Sequence, residues 1–243
     1  MRGPGRIAVR SVAHDGGLAT RPPSRYILGV AGSRAHCSRG GTPVARFRRI
    51  DTGAPIAAGS SLLSDAETAR LARLRSADDR EAFTAAHLLV RSCAAALVGM
   101  EPRHLEFVQR CASCGRDGHG RPTIVGHPDV HVSLSHTRGC VAAVAARSPC
   151  GIDVEMIHRG PPPRGVLTER EAAWVRDDPD PARAFTMLWV RKEALVKAGI
   201  GTLAEVGSLD VLDPGSAGVP ATMETWADPP YVGAWVVLDR APT

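Results

Sequence analysis

Lysine is nearly missing from this chain of 243 residues: of 30 Lys plus Arg, only Lys192 and Lys197 are lysines. Aromatic residues are also few, with four Phe, four Trp and two Tyr, too small a supply for a platform on which nucleic-acid bases stack. No run of 18 or more apolar residues occurs, so no membrane span is expected from composition. The N-terminus lacks the charged, apolar and small-residue order of a secretory signal, and the expected compartment is the cytosol. With six cysteines in a chain of this length and no such signal, reduced thiols are expected rather than a disulfide scaffold.

What is present is unevenly spread. The formal charge is +5, but the first 50 residues hold ten arginines and one acid, Asp15, so the remainder carries about −4. The basic balance therefore belongs to the leading segment and does not argue for a nucleic-acid-binding fold. Residues 1–44, rich in Gly, Pro, Ser and Arg without periodicity, read as a mobile leader. Their composition fits an organelle transit peptide or a start assigned too far upstream. In "CASCGRDGHGRP", Cys111, Cys114 and His119 make half a zinc knuckle with no second pair to match. A structural zinc or a plain loop with free thiols both fit, and the loop is favoured.

From residue 45 onward the chain nearly repeats itself at a spacing of about 104 residues, which suggests halves at 45–148 and 149–243. Asp51 closes "ARFRRID" as Glu155 closes "GIDVE". Ser64-x-x-Glu67 and Thr168-x-x-Glu171 are both capping boxes, in which side chains satisfy the free N–H groups of a helix start. "FTAAHLLVRSCAAALVG" then faces "FTMLWVRKEALVKAGIG", with Gly99 and Gly201 as the expected stops. "LEFVQR" and "SLDVLD" follow, then "GCVAAVAA" and "YVGAWVVL", all strand-like. The expected fold is α+β: a pseudo-dimer of two similar halves with a cleft between them.

The chemistry concentrates near that cleft. In "GIDVE", strand geometry points Asp153 and Glu155 to one face and Ile152 and Val154 to the other. Adjacent carboxylates repel unless a cation lies between them, and hard oxygen donors suit magnesium; a solvated acidic strand is the competing reading. The lysines decide for the cation. Trp189, Glu193 and Lys197 share a helical stripe at i, i+4, i+8, with Lys192 beside it. A surface pair is worth only a few tenths of a kcal/mol, roughly, and arginine would serve it equally well in this chain. A compact ammonium that reaches phosphate oxygens is what lysine adds. Upstream, "HVSLSHT" presents Ser133, Ser135, Thr137 and His136 at a strand end, a donor set suited to phosphate.

Taken together, "GHGRP", "VSLSHT", "GIDVE" and "FTMLWVRKEALVKAGIG" resemble the signature blocks of the Sfp-type (surfactin-synthetase-activating) 4′-phosphopantetheinyl transferases, from about Ser61 to the C-terminus. The resemblance implies transfer of phosphopantetheine from coenzyme A to a serine of an acyl or peptidyl carrier protein, with release of 3′,5′-ADP. Such carriers serve fatty-acid, polyketide and nonribosomal-peptide synthesis. It implies Mg²⁺ held by Asp153, Glu155 and Glu193, and coenzyme A phosphates met by His136 and Lys197, with Lys192 nearby. Ser135 and Arg121 match positions near the nucleotide end, and Glu171 falls near a position proposed as a base. Arg70, Arg80 and Arg91 are candidates for the 3′-phosphate. Arg121 stands where lysine is frequent, and Val132-Ser133 where Phe-Asn is frequent. The expectation is a monomer acting on coenzyme A and carriers, without nucleic acid or membrane.

Two other readings compete. A Mg²⁺-dependent phosphodiesterase would use the same carboxylates but needs a basic track that the core's charge does not supply. A non-catalytic carrier-binding module of the same fold is expected to have lost a metal ligand, and all three carboxylates are present.

Overall fold

A run of seven small apolar residues, Cys140–Ala146, is buried along its whole length, and the architecture is arranged around it. The computed structural model describes residues 27–28, 42–50, 60–110, 115, 117–213 and 221–239. In chain order these form strands β1 (Ile27–Leu28) and β2 (Val44–Arg49), helices α1 (Asp65–Leu71) and α2 (Ala77–Val98), and strands β3 (Phe107–Arg110), β4 (Asp117–Ile124), β5 (His131–Thr137) and β6 (Cys140–Ala146). There follow β7 (Cys150–Met156), α3 (Glu169–Arg176), α4 (Pro181–Ala198), β8 (Ala221–Asp228) and β9 (Tyr231–Leu238), with short 3₁₀ turns between some elements.

The α+β expectation holds, and the two halves share a connectivity. One sheet has the order β2-β6-β5; the other, β1-β8-β9-β7, contains the corresponding run β7-β9-β8. In each, the opening strand pairs antiparallel with the last, which forms a hairpin with its predecessor. Both capping boxes form, at Ser64/Glu67 before α1 and Thr168/Glu171 before α3. The long helices α2 and α4 each stop at a left-handed glycine, with φ of 72° at Gly99 and 104° at Gly199. The expected stop at Gly201 is thus two residues late.

Period two along β6 explains why no polar residue is tolerated there. Val141, Ala143 and Ala145 face α2, with Ala85, Ala86, Val90 and Ala94 among their neighbours. Cys140, Ala142 and Val144 face the other sheet and pack with Cys150, Ile152, Val154 and Trp226. On β9, Val232, Ala234 and Val236 turn outward to α4, while Trp235 and Val237 face inward. α2 and α4 therefore cover the outer faces of two sheets whose inner faces form a common core. Helix α2 is long and apolar enough to cross a membrane by composition alone, but half of its residues are buried against this sheet.

Beyond the α4 stop, one sequence expectation changes. "SLDVLD" is not a strand: Val206–Ser208 is a 3₁₀ turn, and the segment after it spends its backbone groups on buried side chains. Within the segment read as a mobile leader, Ile27–Leu28 pairs parallel with Trp226–Ala227. The rest of 1–41, Asp51, and Cys111, Cys114 and the side chain of His119 lie outside the described residues.

Candidate functional site

Edge strands β5 and β7 bring the two halves together through side chains. Ile152 N–H donates to Ser133 Oγ at 3.2 Å, and Ser135 Oγ donates to Asp153 Oδ1 at 2.7 Å. Both serines are 7% exposed, so the alternating hydroxyls of "VSLSHT" join the sheets instead of facing solvent. Ile152 and Val154 enter the core as expected, leaving Gly151, Asp153 and Glu155 toward α4.

Gly151 sets how close that helix comes. A Cβ there would lie 1.9 Å from the Ala194 carbonyl oxygen and 2.7 Å from Ala198 N, so only glycine lets the end of α4 settle on β7. The approach delivers Lys197 to the acidic pair. Its Nζ lies 2.6 Å from Asp153 Oδ1, in preference to the i,i+4 pairing with Glu193 that helical spacing offers. Asp153 is 4% exposed, and its second oxygen, Oδ2, is buried without a hydrogen-bond partner. A buried carboxylate oxygen left in this state costs free energy unless a cation or donor reaches it.

The neighbouring carboxylates register the crowding. Burial first, then the Asp153 charge, raises Glu155 above the usual carboxylate range, with Glu193 adding to the effect and Thr137 opposing it by a hydrogen bond. Burial and then Asp153 likewise raise Glu193, with Lys197 opposing. Among the described residues, no three His, Cys, Asp or Glu side chains stand as a ready metal-binding group. The donor chemistry nevertheless suits a hard divalent cation: three carboxylates that repel one another, one with an orphaned buried oxygen.

Beside the carboxylates a cavity of about 340 Å³ is lined by cationic and imidazole groups: Arg70, His87, Arg121, His136 and Lys197. His136 opens into this cavity and into a second one bordered by Asp78, Asp79 and Thr137. Crowding by protein, then the charges of His87, Lys197 and Arg70, holds His136 below the ordinary imidazole value. Arg121 Nη2 donates to the Lys197 carbonyl at 2.6 Å, which ties β4 to the last turn of α4. Arg70 lies over the Phe83 ring at 5.7 Å.

Four candidates stand elsewhere. Lys192, expected at phosphate, is fully buried; its Nζ bonds Glu171 Oε2 at 2.8 Å and the carbonyls of Val206 and Leu209 at 2.7 and 2.5 Å. Glu171, expected near the base, is equally buried: it completes the α3 capping box and accepts from Val211 N–H at 2.9 Å. The pair anchors the 206–211 segment, because the buried Lys192 ammonium must be met by backbone oxygens or a carboxylate. Arg80 turns back to the carbonyls of Leu74 and Arg75 at 3.0 and 3.1 Å. Arg91 is 2% exposed and bonds both oxygens of Glu67. The remaining candidates, Arg70, Arg121, Ser135, His136, Asp153, Glu155, Glu193 and Lys197, lie at or beside the cleft.

Sequence reasoning missed His87 and Gly151. His87 precedes Arg91 by one helical turn and shares Glu67 with it, a pattern that the capping box alone did not disclose.

The Lys197–Asp153 contact thus lies beside a cavity lined by Arg70, His87, Arg121, His136 and Lys197. Residues 149–237 match the family described as the 4′-phosphopantetheinyl transferase superfamily. The chain is also 27% identical over 129 residues to a 4′-phosphopantetheinyl transferase of Bacillus subtilis, an alignment covering 51% of this chain and 54% of that protein. The chain thus spans about half the length of this relative. The similarity to the 4′-phosphopantetheinyl transferase superfamily thus lies, by the family match, in residues 149–237.

Proposed function

We propose that this protein transfers 4′-phosphopantetheine from coenzyme A to a serine of an acyl or peptidyl carrier protein in the cytosol, releasing 3′,5′-ADP, with Mg²⁺ as cofactor and the two halves related by a pseudo-twofold axis. The observation that carries the reading is Asp153, whose one oxygen serves Ser135 and Lys197 while the other is buried and unpartnered, next to a cavity lined by Arg70, His136 and Lys197. Asp153, Glu155 and Glu193 would hold Mg²⁺, which supplies charge neutralisation at the pyrophosphate when bound.

Lys197 and His136 border the space where phosphate oxygens gain negative charge as the phosphoanhydride breaks, and such fixed cations act by positioning and electrostatics. The carrier hydroxyl must also lose a proton. Glu193 is the acceptor we assign; Glu171 is shut away by Lys192 and its own cap. Ser135 holds Asp153 in place across the two halves.

Release of 3′,5′-ADP from coenzyme A, followed by chromatography with and without an apo-carrier protein, tests this reading. The expected release requires the carrier and matches it in amount. Release without the carrier would instead make the protein a phosphodiesterase, and none with any carrier class would leave a binding module.

A further inference from the structure

His87 is buried at 4% exposure yet borders the cationic cavity. Its Nδ1 lies 2.6 Å from Glu67 Oε1, and its ring lies against Phe83 at a tilt of 32°, with centroids 4.1 Å apart. Glu67 is held down to about 2, against the cost of burial, by His87 and Arg91, so it is an acceptor and His87 Nδ1 carries the hydrogen. That fixes the ring's orientation and leaves Nε2 as the atom available to the cavity.

The cluster is also unbalanced. A single carboxylate, Glu67, faces two bases, His87 and Arg91, and Arg91 takes both of its oxygens at 3.1 and 2.5 Å. The charged and imidazole groups that line the cavity together with His87 are Arg70 on α1, Arg121 on β4, His136 on β5 and Lys197 on α4. The cavity wall shared by this ring is rich in cationic side chains, a setting that suits an anion.

Resting on the reading above, we propose that His87 is a further ligand-binding residue: Glu67 orients its ring so that the protonated Nε2–H donates to a phosphate group of the bound nucleotide, which links ligand binding to the charge of this ring.

The test is histidine side-chain ¹⁵N NMR of the full chain at pH 7.5, with His87 assigned through its backbone, before and after addition of coenzyme A or inorganic pyrophosphate. The expected result is both His87 nitrogens protonated in the bound state, with the Nε2 signal shifted by ligand. In parallel, His87→Gln should weaken coenzyme A binding about tenfold at pH 6.5, the loss of one charge-assisted hydrogen bond, and much less at pH 8.5. Coenzyme A binding with an unchanged, neutral His87, or an equal loss at both pH values, would overturn the inference while leaving the transferase reading intact. A His87 response to pyrophosphate without any coenzyme A binding would support the residue's role and remove the transferase reading. The NMR result stands on the wild-type protein even if the variant fails to fold.

Discussion

Lys197 Nζ and Asp153 Oδ1 meet at 2.6 Å across the boundary between the last turn of α4 and strand β7. The contact leaves Asp153 Oδ2 buried and unpartnered, so the ammonium meets one oxygen of a carboxylate whose charge also bears on Glu155 and Glu193. Removing either charge separates chemistry from fold. Asp153→Asn and Glu193→Gln should each lower transfer by at least about 10²-fold, the scale of a lost metal ligand or general base, while the thermal midpoint falls little. Steady-state transfer together with circular-dichroism melts checks this, and near-normal transfer by a folded variant would remove that residue from the site.

The buried Lys192–Glu171 pair should behave in the opposite way. Lys192→Met leaves Glu171 charged and unpaired in the interior and should cost about 3–5 kcal/mol. Pairing it with Glu171→Leu should recover much of that loss. Urea unfolding of the single and double variants measures the cost, and the folded double variant should retain transfer.

Stability should depend on pH at both ends of the carboxylate range. Glu155 and Glu193 have folded pKa values above their unfolded ones, so the native state binds more protons there, and stability without metal falls as pH rises through the raised values. Added Mg²⁺ should flatten that fall. Glu67 has the opposite sign: held at about 2, it contributes stability above its ordinary pKa, and this is lost as pH drops toward 2. Denaturant midpoints across pH, with and without Mg²⁺, test both signs; a Mg²⁺-insensitive profile would speak against a cation among these carboxylates.

Gly151→Ala should push α4 from β7, since the added methyl meets the Ala194 carbonyl oxygen at 1.9 Å. The clash cannot be relieved by a side-chain rotation, because both partners are backbone. A loss of about 1–3 kcal/mol is expected, with transfer reduced through displacement of Glu193 and Lys197. Unchanged stability and rate would show that the helix does not depend on this contact for its placement.

Much of the site was legible because it rests on local periodicities. Period two in "GIDVE" put Ile152 and Val154 on one face and the carboxylates on the other, the faces that meet the core and α4, and i,i+4 spacing put Glu193 and Lys197 on one stripe. The capping boxes marked both helix starts. Long-range pairing was not legible. Lys192 differs from Lys197 by little more than a turn of helix, and only the fold shows that one faces the 206–211 backbone and the other Asp153. "SLDVLD" has strand-like alternation, but its backbone groups are taken by that lysine and by Glu171. His87 was hidden for a similar reason: its partner Glu67 is 20 residues away, in a motif already explained as a cap.

The most direct measurement is the intact mass of an apo-carrier protein after incubation with this protein, coenzyme A and Mg²⁺. A gain of about 340 Da, one phosphopantetheinyl group, that disappears with EDTA is the predicted result for a metal-assisted transfer. An unchanged mass across fatty-acid, polyketide and peptide carriers, with coenzyme A bound and the protein folded, would contradict it.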